Sequence, residues 1–167
     1  MKGKLSGMAI LVACLLAVAP VASAQETPCP KVYSSISVDE AVAILNGLGI
    51  NPEKSKDSDG KPMFVFRLGN RTSGYRVGLY FFNEKGDGRF AHLNLSCIFD
   101  NKNNTFKEEH VNVWNRARRF CSAYIDKKQN MVFRGDLNVV GVTEQNIKEF
   151  IQLFEASLNR FVVEIFP

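Results

Sequence analysis

The sequence predicts an α+β fold in which helices pack on an antiparallel sheet. Three observations lead there. The runs Met63 to Leu68, Tyr75 to Asn83 and Arg89 to Phe99 alternate or are apolar throughout, and glycine-bearing turns separate them, as in successive hairpins. Three other segments open on capping residues and carry apolar side chains at helical spacing. Strands and helices do not alternate regularly, which argues against a parallel βαβ sheet. The expected order is α-β-β-β-α-β-β-α.

Each element has its own signal. Ser37 with Glu40 forms a capping box, Ala41, Val42, Leu45 and Leu48 make an apolar stripe, and Gly49 ends this first helix. The charged stretch from Lys54 to Lys61 reads as a loop. Within it Asp57-Ser58-Asp59-Gly60 is an acidic turn, because a calcium loop in that register would need a glutamate where Phe66 stands. In the strands, Phe64, Phe66 and Leu68 share one face and Val65 takes the other. Tyr75, Val77, Leu79 and Phe81 likewise oppose Tyr80 and Phe82. A second capping box, Thr105 with Glu108, starts a helix lined by Phe106, Val113, Trp114, Ala117 and Phe120, with Arg116, Arg118 and Arg119 in its last turn and Cys121 closing it. Ser122 to Asp126 and Met131 to Val140 form another hairpin about Lys127 to Asn130. Thr143 caps the final helix, whose Ile147, Phe150, Ile151, Phe154, Leu158, Phe161 and Val162 give the cleanest amphipathic pattern in the chain.

The amino terminus reads as a secretory signal over residues 1–24. Lys2 and Lys4 precede an apolar run from Ala9 to Val18, and Ala22-Ser23-Ala24 supplies small residues for cleavage. The mature chain should then begin at Gln25 in the periplasm or outside the cell, without a transmembrane segment. Residues 25–36, with Pro28 and Pro30, form a short lead-in, and residues 37–167 a single domain. The formal net charge is +4, half of it from Lys2 and Lys4. Such a balance gives no footing for nucleic acid as a partner.

Three cysteines remain beyond the signal: Cys29, Cys97 and Cys121. Export permits a disulfide, for which Cys97 with Cys121 is the preferred pair; two buried, unpaired thiols acting as small hydrophobes are the alternative. No C-x-x-C occurs and His92 and His110 stand alone, so no metal or other cofactor is expected. The G-x-S-x-G, H-E-x-x-H and G-x-x-x-x-G-K-[ST] motifs are missing as well, so no catalytic residues are assigned.

The run Asn112-Val113-Trp114-Asn115-Arg116-Ala117-Arg118-Arg119-Phe120, followed by Ala123-Tyr124-Ile125-Asp126, Asp136-Leu137 and Gly141-Val142-Thr143, resembles the YbjN family of bacterial sensory transduction regulators. The resemblance implies a fold similar to type III secretion chaperones and a binding or regulatory role.

Two sets of residues are candidates for recognition. Trp114, Asn115 and Arg118 lie together on the second helix, as hot-spot residues or as a core indole covered by arginine, with the Asn115 amide free to bind the next hairpin's backbone. Phe64, Phe66, Tyr80 and Phe82 put aromatic rings on both sides of a sheet whose helices cover one side. That requires either an interface or a final strand curled over the exposed face. The expected function is an exported, non-catalytic protein that binds an unidentified protein partner or a second copy of itself. The alternative is a binder of a small apolar or lipidic ligand between sheet and helices. The basic residues Arg116, Arg118, Arg119, Lys127, Lys128 and Arg134 read as a solvated helix end and turn, or as a surface for an anionic partner.

Overall fold

The structure, a computed structural model, describes residues 29–69, 74–101 and 106–166. The signal segment and Thr105 lie outside the described residues. The elements in chain order are β1 (Val32–Tyr33), β2 (Ile36–Ser37), α1 (Val38–Gly47), β3 (Glu53–Lys56), β4 (Pro62–Leu68), β5 (Tyr75–Glu84), β6 (Arg89–Phe99), α2 (Glu108–Ala117), β7 (Ser122–Ile125), β8 (Met131–Asn138), β9 (Val142–Thr143) and α3 (Glu144–Ile165). This is the α+β class that the periodicity predicts, enlarged by four short strands.

The main sheet is antiparallel in the order β3-β4-β5-β6-β8-β7, with β2 paired beside β6. Its registers sort the side chains. Phe64, Phe66, Val77, Leu79, Phe81, Leu93, Leu95, Cys97 and Phe133 share one face through the pairs Phe64↔Leu79, Leu79↔Leu95 and Cys97↔Phe133. All are buried with side chains of the three helices in one core. On α3, Phe154, Leu158 and Phe161 are fully buried, each worth about 1.5–3 kcal/mol of apolar transfer. The Trp114 ring meets Phe133 at 5.5 Å and Phe161 at 5.1 Å, both edge-on. Gly135 lets α3 come this close: a Cβ there would sit 3.1 Å from Phe154 and 3.3 Å from the Cys121 sulfur.

Several expectations are corrected. The loop over Lys54 to Lys61 begins as strand β3, whose Glu-Lys-Ser-Lys sequence has no apolar alternation and is extended because it pairs with β4. The lead-in contributes β1, paired with β9, and β2, paired with β6; Tyr33 and Ile36 are buried. Helix α2 starts later than its predicted box, with Lys107 at the cap and its N–H bonded to His110 Nδ1 at 3.1 Å. It also stops sooner: Arg118 is extended, so Arg119, Phe120 and Cys121 lie beyond the helix. Cys97 and Cys121 are both free and buried, so the preferred bridge is not formed in this structure. By contrast the box at Ser37 with Glu40 forms as the residues suggest, and Thr143 caps α3 as expected, in a reciprocal box with Asn146 that was not among the sequence expectations.

Glu40 fastens the lead-in to the sheet. Its carboxylate accepts from Lys31 Nζ at 2.6 Å, from the Ser37 N–H at 2.9 Å and from Arg89 Nη2 at 2.8 Å, while Arg89 also reaches Ser35. Burial alone would raise the Glu40 pKa. The hydrogen bonds from Lys31 and Ser37 and the charge of Arg89 outweigh it, holding the group at about 2 against an ordinary 4.5.

Two predictions follow from the core and this junction. A carboxyl with a lowered folded pKa stabilises above its unfolded pKa and loses that contribution as pH falls through the folded one. The gap in urea midpoint between the wild type and Glu40→Gln should therefore be constant near neutrality and shrink as pH drops from 4.5 towards 2. Burial pushes the thiols of Cys97 and Cys121 up to about 12, whereas Cys29 is exposed. A thiol reagent should thus label Cys29 in the native protein, and Cys97 and Cys121 only after unfolding, without any need for reductant.

Candidate functional site

The side of the sheet turned away from the helices is the candidate site. Cross-strand registers lay it out in rows. One row runs Arg67, Arg76, Ile98, Val132, Tyr124, from the pairs Arg67↔Arg76, Ile98↔Val132 and Tyr124↔Val132, with Arg76 one step beyond the Val77↔Cys97 pair. The next holds Val65, Gly78, Ser96, Arg134 and Ser122, and a third Met63, Tyr80, Asn94 and Asp136. Phe82 and His92 follow. Of these, Phe82 is 44 % exposed, Ile98 54 % and Tyr124 41 %, far more than core apolar residues.

Between the rows lies an open groove of about 480 Å³, walled by Tyr80, Phe82, Ile98 and Tyr124 over Asn94, Ser96 and Val132. Gly78 shapes it. The Tyr80 ring lies against this glycine, so that an added Cβ would come within 2.7 Å of the ring. Burial, reinforced by the charge of Asp57, raises the Tyr80 phenol above its ordinary pKa, so it is a donor at neutral pH. The polar floor is a closed network: Asn94 Nδ2 donates to Asp136 Oδ1 at 2.9 Å and its carbonyl oxygen accepts from Ser96 Oγ at 2.6 Å. Arg134 binds Asp136 Oδ2 through Nη2 at 2.8 Å and stacks near Tyr124 at 5.9 Å. Asp126 is occupied by the backbone N–H groups of Lys128 and Asn130. These carboxylates are thus spent on holding the surface, an arrangement suited to recognition through shape and apolar contact.

The predicted residues divide accordingly. Tyr80 and Phe82 lie on this open face, where the alternation puts them. Phe64 and Phe66 do not: both are 4 % exposed in the core beneath the helices. Trp114 is 2 % exposed and donates Nε1–H to the Cys121 carbonyl at 3.1 Å. Arg118 covers it at 5.6 Å and pairs with Glu164 at 2.7 Å. Asn115 is exposed, yet its amide accepts from the Ala123 N–H and donates to the Ala123 carbonyl, both at 2.9 Å. It occupies the outer edge of β7 as a neighbouring strand would. Ile98, Tyr124 and Val132 were not among the sequence candidates; pairing Ile98 with β8 places them beside Tyr80, and long-range pairing leaves no local signal.

Asn115→Ala removes both edge bonds at a partly solvated site. The expected loss is about 1–2 kcal/mol in urea unfolding. Unchanged stability would show that the amide is not an edge clamp.

Comparison with known proteins comes to the same fold. The chain is similar to the crystal structure of YbjN, "a putative transcription regulator from E. coli", with a TM-score of 0.60 and 12% identity over 80% of this chain and 93% of that one. No curated protein matches it in sequence. Among the described residues no helix is long and apolar enough to cross a membrane. The family model described as "Putative bacterial sensory transduction regulator" matches residues 37–167, and the chain belongs to this family, YbjN.

Proposed function

We propose that this protein is an exported, non-catalytic binding module that holds another protein, or a second copy of itself, on the open face of its sheet. The observation that carries this reading is the exposure of Phe82, Ile98 and Tyr124 around one groove, on the face opposite the helices. Isolated exposed apolar residues are ordinary, whereas a contiguous set marks a surface with a partner. The sheet edges favour the face over strand addition. Asn115 occupies outward groups of β7, Trp114 binds the Cys121 carbonyl just before it, and β3 is four residues long with two lysines. A regulatory family is in keeping with a binding role.

The space between sheet and helices gives less support to a ligand there, because Trp114, Phe133, Phe154 and Phe161 meet across it. The expected leader, residues 1–24, accounts for export.

Native mass spectrometry of the protein purified from its own host tests both parts. The expected chain mass begins at Gln25, and the expected assembly is a dimer or a complex. Phe82→Glu should release the partner while changing stability by less than about 0.5 kcal/mol, as for an exposed position. A bare monomer, or a complex indifferent to this change, would overturn the reading.

A further inference from the structure

The groove on the open face follows β6, whose His92, Asn94, Ser96 and Ile98 lie in line along it. Phe82 and Tyr80 of β5 stand opposite His92 and Asn94 on one side, and Val132 and Tyr124 lie beside Ile98 on the other. Its acceptors are largely committed within the protein. Asp136 holds Asn94 Nδ2 and two nitrogens of Arg134, and Asp126 holds the N–H groups of Lys128 and Asn130 and the Asn130 amide. The Asn94 carbonyl holds Ser96 Oγ. Donors remain. The Tyr80 hydroxyl has no hydrogen-bond partner among the described residues. Asn83 Nδ2 donates to His92 Nδ1 at 2.6 Å, which leaves the N–H of that ring on Nε2. Aromatic walls with spare donors and few spare acceptors match a chain of apolar rings and carbonyls that brings few N–H groups of its own.

The geometry points to a proline-rich segment in the polyproline II conformation as the part of the partner that enters this groove. This rests on the protein-binding reading and names what the partner presents. Proline has no backbone N–H, so a proline-rich segment laid across a sheet face offers carbonyls to Tyr80 and His92 and leaves few N–H groups without an acceptor. An ordinary extended segment would bring an N–H at every residue. The outer edge of β7, where a ladder could satisfy such groups, is taken by Asn115. Pyrrolidine rings pack on aromatic walls, and polyproline II is preformed before binding, so little conformational entropy is lost. The stretch from His92 to Ile98 spans about 20 Å of strand, which corresponds to about six or seven residues of polyproline II.

Isothermal titration of the purified protein with acetylated, amidated tetra-, hexa-, octa- and decaproline is the test, with a glycine-serine octamer as control. Octaproline should bind one to one and at least tenfold more tightly than the control. Affinity should rise with length and level off at about seven or eight residues. Phe82→Glu should weaken octaproline at least tenfold. Tyr80→Phe, which deletes only the hydroxyl, should weaken it about threefold to tenfold, the loss of one hydrogen bond. Circular dichroism confirms that both variants fold. Octaproline that binds no more tightly than the control, or that is indifferent to Tyr80→Phe, would overturn the assignment. If the native complex or dimer is still present in that case and is lost on Phe82→Glu, the protein-binding reading stands and only the proline-rich occupant falls; if the complex is missing too, both fall.

Discussion

Everything on this molecule's surface depends on strand register. In β4, β5, β6 and β8 alternate residues go to opposite sides, so one set of pairings decides both what the helices cover and what is left in view. A slip of one residue between β5 and β6 would bring Asn94, Ser96 and Ile98 under the helices and turn Leu93, Leu95 and Cys97 to solvent. The phenylalanines of α3 favour this register, because it puts Gly135 of β8 on the helix side, where it leaves room for Phe150 and Phe154. Core and candidate site are therefore two sides of one constraint.

Legibility followed the same physics. The three helices and the five longest or most apolar strands announced themselves through caps, turns and periodicity, all local signals. Strand β3 did not, since Glu53-Lys54-Ser55-Lys56 is extended by its neighbour and not by its own pattern. Strands β1, β2 and β9, two residues each, are too short to show a period. At the site, alternation along β5 separated Tyr80 and Phe82 from the core. It could not show that Phe64 and Phe66 belong wholly to that core, nor that Ile98, Val132 and Tyr124 complete the surface. Those facts require knowing that β8 lies between β6 and β7. The Asn115 amide binds the next hairpin's backbone and clamps β7 from an exposed position.

Charge on this chain works mainly at junctions. Glu40 ties the segment before α1 to β6, and Glu164 joins α3 to Arg118 at the end of α2. Hydrogen bonds from Arg160, then from Arg118, lower the Glu164 pKa below its ordinary value. On the open face Asp136 and Arg134 neutralise each other. Of the six basic residues that cluster in sequence, Arg118 and Arg134 are committed to such pairs.

The position of α3 in the chain also bears on when the protein can fold. Strands from β4 to β8 can pair as they emerge, but their apolar side stays uncovered until residues 144–165 arrive with Phe150, Phe154 and Phe161. Strand β1 waits equally long for β9, which immediately precedes that helix. Closure is thus a contact between the two ends of the domain, and such distant contacts form late. A polypeptide built this way cannot bury its core until its last segment is free, so the sheet alone is an unfinished fold.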